Sequence, residues 1–230
     1  MKAQFPLVAP MVPIADGDGG FPVRRIYCVA RNYAEHAREM GSSGREAPFF
    51  FMKPADAVLP VPGGTTGRME YPTKTADLHH EVELVVAIGR GGRNIAAAAA
   101  YEHIFGYAVG LDMTRRDLQA DLKKQGRPWD VAKGFDHSAP IGAIRAASAI
   151  GHPAQGTVRL TVNGVERQRG DLSDMIWWVP EIVAILSEYF ELAAGDLIFT
   201  GTPAGVGAVK RGDLLFGSIE GVGDLSLAIA

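Results

Sequence analysis

The run Leu78-His79-His80-Glu81-Val82-Glu83-Leu84-Val85-Val86-Ala87-Ile88-Gly89 has the β-branched and apolar content of a buried strand and ends on a glycine. Two acids sit inside it. Strand side chains alternate between faces, so Glu81 and Glu83 share one side, about 6 to 7 Å apart along the backbone, with Val85 and Ala87 beyond them; Val82, Leu84 and Val86 take the other. A face that starts with carboxylates and continues apolar reads as covered, and two covered like charges are costly unless a cation compensates them. On an exposed edge strand the same pair would be ordinary solvated acids.

A third acid favours the covered reading. Phe105-Gly106-Tyr107-Ala108-Val109-Gly110-Leu111 is a second strand-like run, and it closes on Asp112. Aspartate can cap a following helix, but Thr114, with Asp117 three residues on, is better placed to cap the charged helical stretch that reaches about residue 125. Asp112 is then free to turn toward a site. Three carboxylates with no cysteine cluster nearby make a hard oxygen site, suited to Mg2+ or Mn2+ rather than zinc or copper.

At 230 residues the chain can bury one substantial core. Hydrophobic residues are 47% and charged ones 21%, which argues against disorder. A net charge of -3 offers no basic surface for nucleic acid. The single cysteine, Cys28, excludes an intrachain disulfide framework and points to the cytosol; within Ile26-Tyr27-Cys28-Val29-Ala30 it reads as a small core residue. No apolar run approaches membrane-spanning length, and Pro6, Pro10 and Pro13 break the apolar start, so no signal peptide is expected and the location expected is cytoplasmic.

Residues 1–20, ending in Asp16-Gly17-Asp18-Gly19-Gly20, are expected to form a short arm before a catalytic domain over 21–230. A strand over 25–30 is followed by Asn32, a possible cap for a helix over 32–40. His36 and Glu39 stand three apart on one face of that helix. As a solvated surface pair they would do little; as a catalytic pair, Glu39 holds the imidazole while His36 takes a proton from water. Pro48-Phe49-Phe50-Phe51-Met52-Lys53-Pro54 reads as a strand too apolar to be exposed, its Lys53 either snorkelling to solvent or facing an anionic ligand.

Gly89-Arg90-Gly91-Gly92 lacks phosphate-loop spacing and reads as a turn, and 96–100 is a plain helix former. Gln119, in the helix after Asp112, can reach a ligand bound there. Lys133, past Trp129, has by itself a structural reading. Strands over 158–162 and 165–168 flank Asn163-Gly164, a strong hairpin signal. A helix over 180–190 would present Ile182, Ile185, Leu186 and Tyr189 to the core. A strand over 196–200 leads into Gly201-Thr202-Pro203-Ala204-Gly205-Val206-Gly207, where main-chain N–H groups can approach an anion. Short strands over 213–219 and 225–229 follow. Strands outnumber helices without regular alternation, so neither a doubly wound sheet nor an eight-fold barrel fits.

Taken in order, R-N-Y-A-E-H-A-R-E-M-G, F-M-K-P, H-H-E-V-E-L, L-D-M-T-R-R-D-L-Q, A-K-G-F-D and T-G-T-P-A-G-V-G resemble the fumarylacetoacetate hydrolase family from about residue 21 onward, most of all its branch that acts on fumarylpyruvate in gentisate breakdown. The resemblance implies an α+β, β-rich fold, a mixed β-roll with short peripheral helices, usually as a homodimer. It implies Glu81, Glu83 and Asp112 as ligands of one Mg2+ or Mn2+, and His36 and Glu39 as the pair that activates water. Gln119, Lys133 and Thr202 match positions that handle substrate and transition state; Arg31, Lys53 and Arg116 match motif positions near the substrate.

The expected activity is metal-dependent hydrolysis of the C–C bond of a 3-acylpyruvate dicarboxylate, fumarylpyruvate giving fumarate and pyruvate, with Arg31 or Lys53 on the distal carboxylate. Alternatives within the family are oxaloacetate decarboxylation and isomerisation or decarboxylation of a ring-cleavage dienedioate. A non-catalytic metal-binding module is the alternative of another class, against which His36 and Glu39 argue.

Overall fold

Short apolar stretches of period two, cut by glycine, proline and asparagine, can hide their apolar side only by pairing into sheets and stacking those sheets. The computed structural model describes residues 4–5, 8–15, 17–34 and 46–230. In chain order its first strands are β1 (Met11–Pro13), β2 (Gly20–Pro22), β3 (Arg25–Ala30), β4 (Phe49–Lys53), β5 (Val58–Pro60) and β6 (Thr66–Met69). Next come β7 (Leu78–His80), β8 (Val82–Ile88), β9 (Ile104–Leu111), β10 (Thr114–Arg115), helices α1 (Arg116–Lys124) and α2 (Asp130–Lys133), β11 (Ala139–Ile141), β12 (Arg145–Ala146) and helix α3 (Ala147–Ile150). The remainder is β13 (Thr157–Val162), β14 (Val165–Asp171), helix α4 (Val179–Tyr189), β15 (Asp196–Phe199), β16 (Gly207–Val209), β17 (Leu214–Ile219) and β18 (Gly223–Ile229).

The largest sheet runs β4-β3-β15-β8-β9-β11-β5, with β12 also on β9; a five-stranded sheet runs β14-β13-β17-β18-β6, and a small one β10-β7-β16. Pairing is mixed: β3 with β15 and β5 with β11 are parallel, while β8 is antiparallel to both of its neighbours. Alternation in β8 separates two cores, as its sequence implies. Val82, Leu84 and Val86 join Leu160, Leu215 and Leu227 of the five-stranded sheet and Ile182 and Leu186 of α4. Val85 and Ala87 join Ile26, Cys28, Leu197 and Phe199 on the other side. Val12, inside the stretch expected to be an arm, is fully buried in that second core, and β1 pairs with β2. The architecture is the β-rich roll with short outer helices that the resemblance implied.

Several local expectations need correction. The strand expected over 78–89 is broken at Glu81: β7 belongs to the small sheet and β8 to the large one. Thr114 does not cap α1; it pairs with His79 in β10, its hydroxyl donates to the carbonyl of Asp112, and the helix starts two residues later. Asp117 instead turns to Thr75 and the N–H of Ala76, tying α1 to the preceding loop. Asn32 caps nothing among the described residues. It is fully buried, donates to the carbonyls of Trp177 and Thr200 and accepts from the N–H of Trp177, because tertiary partners offer its amide more bonds than a helix end would.

β4 is an edge strand with Phe49 and Met52 exposed, not a covered one. Residues 97–103 form a 3₁₀ rather than an α-helix. Tyr189, expected on the core face of α4, is 69% exposed, since it lies in the last turn, beyond the sheet that Ile182 and Leu186 cover. The hairpin signal holds: Asn163 and Gly164 both have positive φ, 52° and 78°, which a tight two-residue turn requires.

The second core is close-packed around Gly110 of β9. A Cβ there would sit 2.6 Å from Cγ2 of Val85 and 2.7 Å from Cε1 of Phe199. Gly110→Ala is therefore expected to lower stability by about 1–3 kcal/mol through overpacking, seen as a lower urea midpoint at unchanged slope.

Candidate metal centre

Each of the three acids reaches one point by a different local device. Glu83 stands on β8, and alternation alone turns it to the Val85 side. Glu81 occupies the gap between β7 and β8, and its carbonyl accepts the N–H of Asp112 at 2.8 Å. That bond draws the end of β9 against the gap and sets Asp112 beside the two glutamates. One carboxylate oxygen from each lies within 4.8 Å of the others, and the three residues are 5%, 2% and 1% exposed in the order Glu81, Glu83, Asp112.

Three cations face them. The Lys133 ammonium, at the end of α2, lies 2.7 Å from Glu81 Oε2 and 2.6 Å from Asp112 Oδ2. Arg116 opens α1 and donates to Glu81 Oε1 and to the side-chain oxygen of Gln119. Behind it, Arg116 Nε donates to His79 Nδ1 at 3.4 Å, and His79 Nε2 meets Asp77 at 2.8 Å, so the imidazole is held in the tautomer that can accept from arginine. Lys53 is almost fully buried. It donates to the carbonyls of Met113 and Lys133 and stands 2.8 Å from Asp112 Oδ1.

Burial first, then the charges of Asp112 and Glu81, push the Glu83 carboxyl well above its ordinary range, and the Gly201 N–H at 2.7 Å offsets this only in part. Burial also works against the charge on Lys133, but Asp112 and Glu81 outweigh it and raise its pKa. Asp112 Oδ1 makes no hydrogen bond among the described residues despite its nearness to Lys53. A carboxyl compensated only in part, a carboxylate oxygen that accepts no hydrogen bond and an all-oxygen donor set fit a hard divalent cation such as Mg2+ or Mn2+. The cavity over the acids measures about 30 Å³.

Of the residues singled out in the sequence, Glu81, Glu83, Asp112, Arg116, Gln119, Lys133, Arg31 and Thr202 all line this one cavity. Lys53 does not. It does not snorkel to solvent: its side chain is fully buried, and the carbonyls of Met113 and Lys133 and the Asp112 carboxylate hold its ammonium. His36 and Glu39 lie outside the described residues. A second cavity of about 290 Å³ shares Ala30, Arg31 and Trp129 with the first and extends to Phe49, Ile176 and Trp177. Sequence reading overlooked His79 as the support of Arg116, although alternation places residues 79, 81 and 83 on one side. Trp129, in both cavities, carried no periodic signal.

Glu83 gives a test with a definite sign. Unfolded, it ionises near its ordinary pKa of about 4.3; folded and metal-free, it keeps its proton to higher pH. The folded state then binds more protons, so metal-free stability falls as pH rises from that value toward the raised one, by at most about 1.4 kcal/mol per pH unit. Urea midpoints against pH should show this slope in the wild type and lose it in Glu83→Gln. Within the same window, titration with Mn2+ in buffers of different ionisation enthalpy should report about one proton released per ion.

The chain can be placed among known proteins. A family model described as Fumarylacetoacetate (FAA) hydrolase C-terminal matches residues 25–230. The crystal structure of fumarylpyruvate hydrolase from Pseudomonas aeruginosa in complex with Mn2+ and pyruvate superposes with a TM-score of 0.98 at 54% identity, covering 100% of this chain and 99% of that one. The oxaloacetate tautomerase YcgM of Escherichia coli is 42% identical over 87% of this chain and 90% of its own length. A 5-carboxymethyl-2-hydroxymuconate delta-isomerase from Mycobacterium smegmatis superposes with a TM-score of 0.79 at 34% identity, covering 92% and 80%. With the acids, the cations and the glycine-rich turn gathered at one end of a β-roll, and with a match that spans nearly the whole sequence, the chain belongs to the fumarylacetoacetate hydrolase family.

Proposed function

We propose that this chain is a divalent-cation-dependent hydrolase of the C–C bond of a 3-acylpyruvate, converting fumarylpyruvate and water to fumarate and pyruvate. The observation that carries the reading is the buried group of Glu81, Glu83 and Asp112 at the floor of a cavity that continues past Arg31 into a larger one. The 54% identical Pseudomonas relative, solved with Mn2+ and pyruvate, supports the choice of cation and of the three-carbon product.

Held by the three acids, Mg2+ or Mn2+ would act as a Lewis acid on a 2-oxo acid and oppose the negative charge that builds on the departing three-carbon fragment. The rest falls to side chains. His36, oriented by Glu39, takes a proton from water, and the water oxygen forms a bond to the C4 carbonyl carbon. Lys133 and Gln119, on the cavity wall, stabilise the negative charge that develops on that carbonyl oxygen. The C3–C4 bond then breaks, its electron pair stays with C3, and a proton delivered there completes pyruvate while the acyl carbon leaves as a carboxylic acid. Arg116 and Lys133 hold Glu81, and Lys133 holds Asp112, in place throughout.

Arg31 is the better candidate for the distal carboxylate, since Lys53 is held by Met113, Lys133 and Asp112. Arg31 lies where the two cavities meet, and its Nε is buried with no hydrogen-bond partner among the described residues. The planar unsaturated acyl chain would extend along Trp129 into the larger cavity. We assign the chain to aromatic breakdown by way of gentisate, in the cytoplasm and as a homodimer; the exposed Phe49 and Met52 on the edge strand β4 support the last assignment. No helix among the described residues is long and apolar enough to cross a membrane.

Oxaloacetate is the second substrate to consider, because oxaloacetate tautomerases are among the 42–45% identical relatives. The enol absorbance of fumarylpyruvate should decay with equal yields of fumarate and pyruvate in Mn2+ and stay constant in chelator; an intact isomer as sole product would refute hydrolysis. Conversion of oxaloacetate that survives His36→Gln, while fumarylpyruvate cleavage is lost, would mark a water-independent activity of the same centre. Arg31→Met should raise KM for fumarylpyruvate about 10- to 100-fold, the worth of a hydrogen bond to a charged group, and leave KM for acetylpyruvate, which lacks the second carboxylate, within about threefold.

A further inference from the structure

β14 is an edge strand of the five-stranded sheet, and every residue of Val165–Asp171 but one is exposed or half-buried. The exception is Gln168, which is fully buried. Its way inside is visible in the register: Leu160 pairs with Gln168 while Thr161 pairs with Glu166, so Arg167 is an extra residue on β14. Such a bulge bends the strand and re-aims the neighbouring side chain, here at the gap between β7 and β8.

All four of the bonds this amide can make are formed. Its Oε1 accepts the N–H of Val82 at 3.1 Å and lies 2.8 Å from Nδ1 of His80; its Nε2 donates to Thr202 Oγ1 at 2.8 Å and to the carbonyl of Pro203 at 2.9 Å. The orientation is fixed by its partners, since Val82 N–H can only donate and the Pro203 carbonyl can only accept, and His80 must then carry its proton on Nδ1. His80 and Val82 are the two neighbours of Glu81. On the other side, the turn that holds Thr202 also supplies the Gly201 N–H bound to Glu83.

Two further facts narrow what is being held. The Thr202 hydroxyl donates to the carbonyl of Val82 at 2.8 Å and accepts from Gln168, so its one proton is spent on the scaffold and it has none to donate to a bound anion. Its main-chain N–H finds no acceptor among the described residues, and Thr202 lines the cavity over the acids. The turn also lies flat on β14: a Cβ on Gly170 would be 2.6 Å from Pro203 Cβ, and one on Gly205, whose φ is +91°, would be 2.1 Å from the carbonyl oxygen of Arg167.

We propose that Gln168 is a positioning residue of the centre: it clamps the turn 201–203 to the segment that carries Glu81 and Glu83, and Thr202 serves the substrate through its main-chain N–H rather than its hydroxyl. The substrate half of this statement rests on the hydrolase reading above. The clamp itself can be tested without turnover.

The test compares wild type, Gln168→Met, Thr202→Val and the double variant, at a temperature where all are folded. Gln168→Met should weaken Mn2+ binding, followed by the electron spin resonance of free Mn2+, and lower kcat/KM on fumarylpyruvate, each by about 10- to 100-fold, the usual range for residues that support metal ligands. Hydrogen exchange in a peptide covering 200–207 should speed up in both single variants. Their losses should be less than multiplicative in the double, by about threefold or more, because both act on one clamp. Thr202→Ser, which keeps the hydroxyl, should restore wild-type exchange. Wild-type Mn2+ affinity and exchange in Gln168→Met, or losses that multiply, would overturn the proposal. Should Gln168→Met fail to fold, Thr202→Val reads the clamp from its other end, and unchanged exchange there is the refuting result. If wild type cleaves no acylpyruvate, the hydrolase reading fails while the metal-binding and exchange arms still decide the clamp.

Discussion

Three buried carboxylates with oxygens within 4.8 Å of one another repel, and each is largely withdrawn from solvent; a fold that brings them together has to supply positive charge at the same place. Here it comes from Lys133, Arg116 and Lys53, each delivered by a different segment. The arrangement leaves Glu83 compensated only in part: burial and the charges of Asp112 and Glu81 outweigh the Lys133 ammonium and the one main-chain N–H on its carboxyl. That imbalance is what makes the group a receptor for a divalent cation rather than a closed ion-pair cluster, and much of the surrounding architecture can be read as the means of holding it.

The break at Glu81 is the clearest instance. A continuous strand from Leu78 to Ile88 would satisfy its backbone by simple pairing. Instead β7 leaves for the small sheet, and the Glu81 carbonyl and the Val82 N–H are met by Asp112 and Gln168, one from the end of β9 and one from the bulged edge strand β14. Each of those bonds brings a further group with it: the first sets the Asp112 carboxylate beside the two glutamates, and the second brings the amide that also bonds Thr202, next to the Gly201 N–H on Glu83. Lys53 does the same from the opposite side, tying Met113 and Lys133 to Asp112 through one ammonium.

Much of the site was legible in one dimension because strands have a strict period. Glu81 and Glu83 fall on one side by counting, Asp112 terminates a run whose neighbours are all apolar, and the choice of a hard cation follows from the donor atoms. What counting could not reveal were contacts between segments far apart in the chain. Thr114 had all the features of a helix cap and became a strand residue because His79 offered it a partner. Lys53, free in the sequence to snorkel to solvent, is instead buried and held by Met113, Lys133 and Asp112. Gln168, the last residue expected in a hairpin strand, looked like any exposed polar side chain until a bulge turned it inward.

The sequence by itself determined that the chain would be strand-rich, that β8 would turn Val82, Leu84 and Val86 away from its acids, and that three acids could share a hard-cation site, all of which follow from local periodicity and donor chemistry; the lysine and glutamine beside them were implied only by the family resemblance. Only the tertiary structure decided which cation faces which carboxylate, that Lys53 is held by Met113, Lys133 and Asp112 while Arg31 lies where the two cavities meet, and which polar groups would be buried. The physical reason is range: side-chain alternation is set within a few residues, whereas the ion pair of Lys133 with Asp112 and the buried amide of Asn32 reach partners 21 and 168 positions away, and those choices are made by how the sheets stack.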